Sequence, residues 1–176
     1  MILHHRARLR ARLLLGAAAV LGLSLGTQSA IAQDGQIQVF ALVQADCSVV
    51  AGNAALDFDT YDSSDSGPTL ANTTFSVTCT SATDVTVSLD EGSNADGTTR
   101  RMSSNGGGGP LLTYELWQDP ARQIKFGDDS GLGTSKSIPV EVGPGTEVPV
   151  FGSIVPGQQV PAGSYQDVVN IILTLS

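Results

Sequence analysis

Few residues in this chain have the chemistry for a reaction. The only thiols are Cys47 and Cys79, 32 positions apart. The only imidazoles, His4 and His5, stand in a basic, apolar N-terminal stretch. Asp57 and Asp59 are two apart and resemble a carboxylate pair, but no pocket motif or second acid accompanies them; a polar strand face explains them. Asn94-Ala95-Asp96-Gly97 has the look of a calcium loop, yet Gly92 occupies its first Asp position and Ser103 its bidentate Glu position. Gly131-Leu132-Gly133-Thr134-Ser135-Lys136-Ser137 lacks the Gly before Lys that a phosphate loop requires. Asn72-Thr73-Thr74 is a glycosylation sequon and nothing more.

The N-terminal stretch reads as an export signal over residues 1–32. Arg6, Arg8, Arg10 and Arg12 precede an apolar run, Leu13–Leu25, and Ala30-Ile31-Ala32 is a small-x-small cleavage pattern. The run falls short of the ~20 residues of a spanning helix. Cleavage between Ala32 and Gln33 would remove both histidines and four of the nine Lys and Arg. The mature chain then sets five cations against 17 acids, a formal charge of −12. No imidazole remains for acid–base work or metal ligation, which argues against an enzyme, and no cofactor is expected. Such a charge repels nucleic acid and anionic lipid, so a membrane is met only during secretion.

In an oxidising compartment the two cysteines are expected to form a disulfide, Cys47–Cys79. Two thiolates without histidine are too few for a closed zinc site. Closing such a loop contributes roughly 3–4 kcal/mol in the chain-entropy account.

The elements that must hold these residues are strands. Val, Thr, Ser and Gly are abundant, and no stretch keeps a helical period. Expected strands are Cys47–Val50 with Ala54–Phe58, then Thr73–Thr80, Val85–Leu89, Leu111–Trp117, Ile138–Val142, Val148–Phe151 and Tyr165–Leu175. Gly106–Gly109 before Pro110 is too short to separate domains, so one β-sandwich of immunoglobulin-like design is expected. In Thr73–Thr80, Phe75, Val77 and Cys79 share the inward face. In the last strand Val169, Ile171, Leu173 and Leu175 do so, with Ile172 opposite. Tyr114 and Trp117 fall on opposite faces by parity. Ahead of Cys47, QIQVFALVQA (residues 36–45) alternates like a strand without a turn to return it to its own chain.

This ordered set of motifs resembles the spore coat protein U domain family, whose members include subunits of archaic chaperone–usher pili. The resemblance rests on the alternating leading strand with Cys47, Leu56-Asp57-Phe58 with Tyr61, and Val77-Thr78-Cys79-Thr80. Further along it rests on Leu112–Asp119, Phe126-Gly127-Asp128, Phe151-Gly152, Pro156-Gly157-Gln158 and Pro161–Asp167. Asp59 departs from the pattern, standing where Gly commonly follows the aromatic.

The resemblance implies an incomplete immunoglobulin-like sandwich lacking its last strand, over residues 47–176, behind a donor-strand extension at 33–46. A periplasmic chaperone would lend the missing strand, and at an outer-membrane usher the next subunit's extension would replace it. Ile37, Val39, Ala41 and Val43 would be the inserted residues, and Val169, Ile171, Leu173 and Leu175 would line the acceptor groove. Three branched side chains buried at ~1.5–3 kcal/mol each give roughly 5–9 kcal/mol before ordering costs. Phe40 and Leu42 occupy the other face and would cover neighbouring subunit surface; a register shifted by one residue would insert them instead. The implied role is a shaft or adaptor subunit of a surface pilus, in adhesion or biofilm formation. The alternatives are a secreted spore-coat-like protective protein and a monomeric secreted immunoglobulin-like module.

Overall fold

The computed structural model describes residues 38–50, 54–104 and 108–175. The expected signal, its Ala32–Gln33 bond and Ile37 lie outside these residues. The chain divides into two units, residues 1–40 and 41–176, and in the first only 38–40 are described, without regular structure.

Among the described residues of the second unit all regular elements are strands. They are β1 (Cys47–Val50), β2 (Thr69–Cys79), β3 (Thr83–Leu89), β4 (Arg100–Ser103), β5 (Leu111–Trp117), β6 (Lys136–Val140), β7 (Thr146–Ile154) and β8 (Ile171–Leu175). One antiparallel sheet runs β1-β2-β7-β5-β4, and the other runs β6-β3-β8. Their inner faces meet in one core, with Phe75 and Val77 from β2, Val85 and Val87 from β3, Leu116 from β5 and Val148 from β7. The result is an immunoglobulin-like β-sandwich.

Alternation explains the packing. On β2, Phe75, Val77 and Cys79 are buried as expected, while the residues between them are less covered. On β5, Tyr114 points into the core and Trp117 stands outside, where its Nε1 donates to Ser153 Oγ at 2.9 Å. Lys125 Nζ lies 5.8 Å from the Trp117 ring centre, so a cation covers the exposed ring face.

Two expectations about strands need correction, and one strand is present that was not expected. Ala54–Phe58 is not a strand; Leu56 and Phe58 instead pack from an irregular segment onto the core. Sheet pairing does not extend over Tyr165–Asn170, because that segment bonds to Asp90 and Ser93, which follow β3, and to Ser103 of β4 rather than to residues of β3. β4 escaped notice because its sequence, Arg-Arg-Met-Ser, has little β propensity; pairing with β5 makes it a strand.

Cys47 and Cys79 are disulfide-bonded and face one another across β1 and β2, with their Cα atoms 4.1 Å apart. The bridge lies within one sheet and fixes its register: a slip of one residue would turn the inward face of β1 to solvent.

Candidate functional site

The two sheets differ at their shared edge. β1 ends the larger sheet and β8 ends the smaller one, and the two are neighbours in space without being hydrogen-bonded as a ladder. Among the described residues, no strand pairs with the outer side of β8. Unpaired strand edges of this kind are templates for another chain.

Next to that edge the core is open. A cavity of about 320 Å³ is lined by Phe75, Leu89, Leu116, Val150, Val169 and Ile171, among others. Of the four residues expected to line an acceptor groove, Val169, Ile171 and Leu173 are half-buried against the core. Val169 precedes β8, and Leu175, at the strand's end, is 47% exposed. The structure thus brings three of the four together on one apolar wall.

A polar frame holds the segment leading into β8. Tyr114 Oη donates to Asp167 Oδ2 at 2.7 Å, and Asp167 Oδ1 accepts from Ser93 N and Asn94 Nδ2, both at 2.9 Å. Burial, reinforced by the Asp167 carboxylate, pushes the Tyr114 phenol well above its ordinary range, so it remains a donor. Gly92 suits this place: its φ of 81° favours glycine, and a Cβ would push against the Asp167 carboxylate and displace it from its bonds. Asp90 Oδ1 accepts from Asn170 N at 2.8 Å, and Ser103 and Gln166 exchange backbone hydrogen bonds. The stretch that resembled a calcium loop is therefore a brace for the last strand. Among the described residues no cluster of three His, Cys, Asp or Glu is placed to hold a metal.

Arg100 ties the sheets together. It is 1% exposed, and its guanidinium donates to the backbone carbonyls of Leu89 at 2.8 Å, Asp90 at 2.9 Å and Phe126 at 2.9 Å. Burial lowers its pKa, while the nearby Tyr114, Glu115, Asp90 and Asp128 and the carbonyl dipoles favour the charge. The sequence offered no signal for it, since Arg100 and Arg101 differ only in parity.

The leading segment runs into β1 through Asp46. Asp46 continues the β1–β2 ladder: its carbonyl accepts from Thr80 N at 2.9 Å and its amide donates to Thr80 Oγ1 at 3.0 Å. With Asp46 still held to the end of β2, no residues are left for a turn that would fold Ala41–Ala45 back beside β1. Residues 38–44 are exposed and without regular structure, including Val39, Ala41 and Val43.

Asp57 and Asp59 do not form a catalytic pair. Asp57 Oδ1 accepts from Asp59 N at 2.9 Å, which closes a turn on the rim of a second cavity, of about 600 Å³, shared with Asp62 and Tyr165. The glycine-rich stretch Gly131–Gly133 also has a structural use. Thr134 N donates to Lys125 O and Gly127 N to Thr134 O, so those amides are not free to cradle a phosphate.

An immunoglobulin-like domain with an edge and a leading segment that, among the described residues, have no strand partner is the class these features define. The Spore Coat Protein U domain matches residues 33–172, most of the chain, and the protein belongs to that family. It is 36% identical over 137 residues to Protein U of Myxococcus xanthus, covering 70% of this chain and 73% of that one. Two solved structures are similar in fold. One is a chaperone–tip adhesion subunit pre-assembly complex of the archaic chaperone–usher Csu pili of Acinetobacter baumannii, with 20% identity and a TM-score of 0.47 over 74% of this chain and 40% of that chain. The other is a chaperone–tip adhesin complex of CFA/I fimbriae, with 12% identity and a TM-score of 0.48 over 74% of this chain and 43% of that chain. The chain thus spans less than half the length of either.

Proposed function

We propose that the protein is a structural, non-enzymatic subunit of a surface pilus, built by donor-strand exchange along the chaperone–usher route. In this reading residues 1–32 direct export, residues 33–46 form the donor strand, and residues 47–176 form the acceptor sandwich. A periplasmic chaperone occupies the open edge until, at an outer-membrane usher, the extension of the neighbouring subunit takes its place. The fibre then stands on the cell surface and serves adhesion or biofilm formation.

One observation carries the reading. Among the described residues no strand pairs with the outer side of β8, which lies beside an open apolar cavity, while the apolar residues 39–43 stand exposed ahead of Asp46. Each molecule therefore has an acceptor edge and a strand that suits another molecule's edge. Main-chain hydrogen bonds would supply affinity, and Ile37, Val39, Ala41 and Val43 entering the groove would supply register. Because the contact joins two different surfaces, it need not close, and it propagates as a fibre.

Val39→Asp and Val43→Asp test this. Both variants should bind the chaperone normally and fail to polymerise, because a buried unpaired carboxylate opposes insertion. Normal fibres from both would overturn the assignment. The family's description favours a second reading, a secreted coat protein built on the same fold. Chaperone and usher genes beside this one support the pilus, whereas an isolated gene under sporulation control supports the coat.

A further inference from the structure

The outward face of β8 is polar except at one position. Thr174 stands opposite Thr86, Ile172 stands opposite Ser88, and Ser137 of β6 lies beyond Thr86. Ile172 is 45% exposed in this Ser/Thr field, on the strand whose other side has no partner among the described residues. Burial of the core does not explain it, since the core-facing residues of β8 are Ile171 and Leu173. Along the strand, Asn170 and Thr174 flank it on the same face.

The leading segment carries a complementary pattern. With Val39, Ala41 and Val43 on one face, the other reads Gln36, Gln38, Phe40, Leu42, Gln44: two large apolar residues bracketed by amides. Phe40 is 85% exposed and Leu42 84%. Val39–Val43 and β8 have the same length, five residues. Any strand that pairs with β8 and turns Val39 and Val43 inward must turn Phe40 and Leu42 outward, onto the face that holds Ile172. Directly opposed residues on paired strands lie within contact, and diagonal neighbours remain in reach of a large side chain.

We propose that Phe40 and Leu42 of one copy close over Ile172 of the next, forming an apolar clasp on the outside of the acceptor edge. The clasp rests on the donor-strand reading and adds to it a second recognition surface, whose occupant is another copy of this chain. It accounts for the two-sided apolar character of the segment without a shifted register. The outward pair selects an edge with an exposed branched residue at one central position, while the inward set fills the groove.

The test uses fibres assembled from the full chain and measures their half-life in denaturant. Ile172→Thr matches its Ser/Thr surroundings and leaves the inward face untouched, as does Phe40→Thr. Each variant should still polymerise but shorten the half-life about two- to fivefold, the range of one cross-strand pair. The double variant should shorten it by less than the product of the two, because both changes remove one contact. Unchanged half-lives, or effects that multiply independently, overturn the clasp if Val39→Asp abolishes fibres in the same experiment. If Val39→Asp also assembles normally, the donor-strand reading fails and the clasp fails with it.

Discussion

Tyr114 Oη lies 2.7 Å from Asp167 Oδ2, joining the middle of β5 in one sheet to the segment that leads into β8 of the other. The bond does more than satisfy two polar groups. It fixes where the last strand starts, and so where the open edge and its cavity lie.

Replacing Tyr114 with Phe should therefore destabilise the domain by about 1–3 kcal/mol, the range for a buried hydrogen bond to a charged partner. The same variant should change the alkaline behaviour. In the folded chain the phenol's pKa is raised above its ordinary 10.0, chiefly by burial. The folded state therefore holds that proton more tightly than the unfolded state does. The resulting stability is complete below about pH 10 and is lost as pH rises beyond it, by roughly 1.4 kcal/mol per unit for one proton. Denaturant titrations between pH 8 and 11 should show a steeper alkaline fall for the native chain than for Tyr114→Phe.

Arg100 makes a second joint between the sheets. Arg100→Met keeps much of the volume but takes a donor from the carbonyls of Leu89, Asp90 and Phe126. A loss of about 2–4 kcal/mol is expected in equilibrium unfolding. Arg100→Lys should recover only part of it, because an ammonium lacks the planar fork that reaches three carbonyls at once.

Gly152 is buried under Leu56 and Phe58, and a Cβ at that position would come 2.7 Å from the tip of each side chain. Gly152→Ala should cost about 1–3 kcal/mol through overpacking. Shortening one neighbour, as in Leu56→Ala, should make the pair less than additive, which a double-mutant cycle measures.

Asp59 has a φ of 56°, in the left-handed region. That conformation costs a non-glycine residue about 1–2 kcal/mol, offset in part by the ~0.5–1 kcal/mol of chain entropy that glycine loses. Asp59→Gly should be neutral to stabilising, by up to about 1 kcal/mol. Asp59→Val should lower the unfolding midpoint, since a β-branched side chain tolerates this conformation least.

Much of the fold was legible because alternation is a local property. The inward set Phe75, Val77 and Cys79, the opposite faces of Tyr114 and Trp117, and the bounds of Leu111–Trp117 all follow from a period of two. Three parts of the fold were not legible. Arg100–Ser103 becomes a strand by pairing with β5, and Ala54–Phe58 is irregular, with Leu56 and Phe58 lying over Gly152. Tyr165–Asn170 has strand-like residues, yet its hydrogen bonds go to Asp90, Ser93 and Ser103 instead of a ladder. The site divides the same way. Leucines and valines announced an apolar wall, whereas the acids and glycines that frame it looked like surface turns.

By itself, the sequence determined the strand-rich class, the absence of imidazole after residue 32, the cysteine pair and the apolar alternation of the leading segment. Each depends on residue type and on neighbours a few positions away. Only the tertiary structure decided that Cys47 and Cys79 lie within one sheet, and that the Gly92–Asn94 turn braces Asp167. Only it placed β8 at an edge without a strand partner among the described residues. Those outcomes depend on pairings between residues about thirty positions apart across β1 and β2, and more than seventy apart at the Asp167 brace, whose partners are set by how the sheets stack and not by local preference.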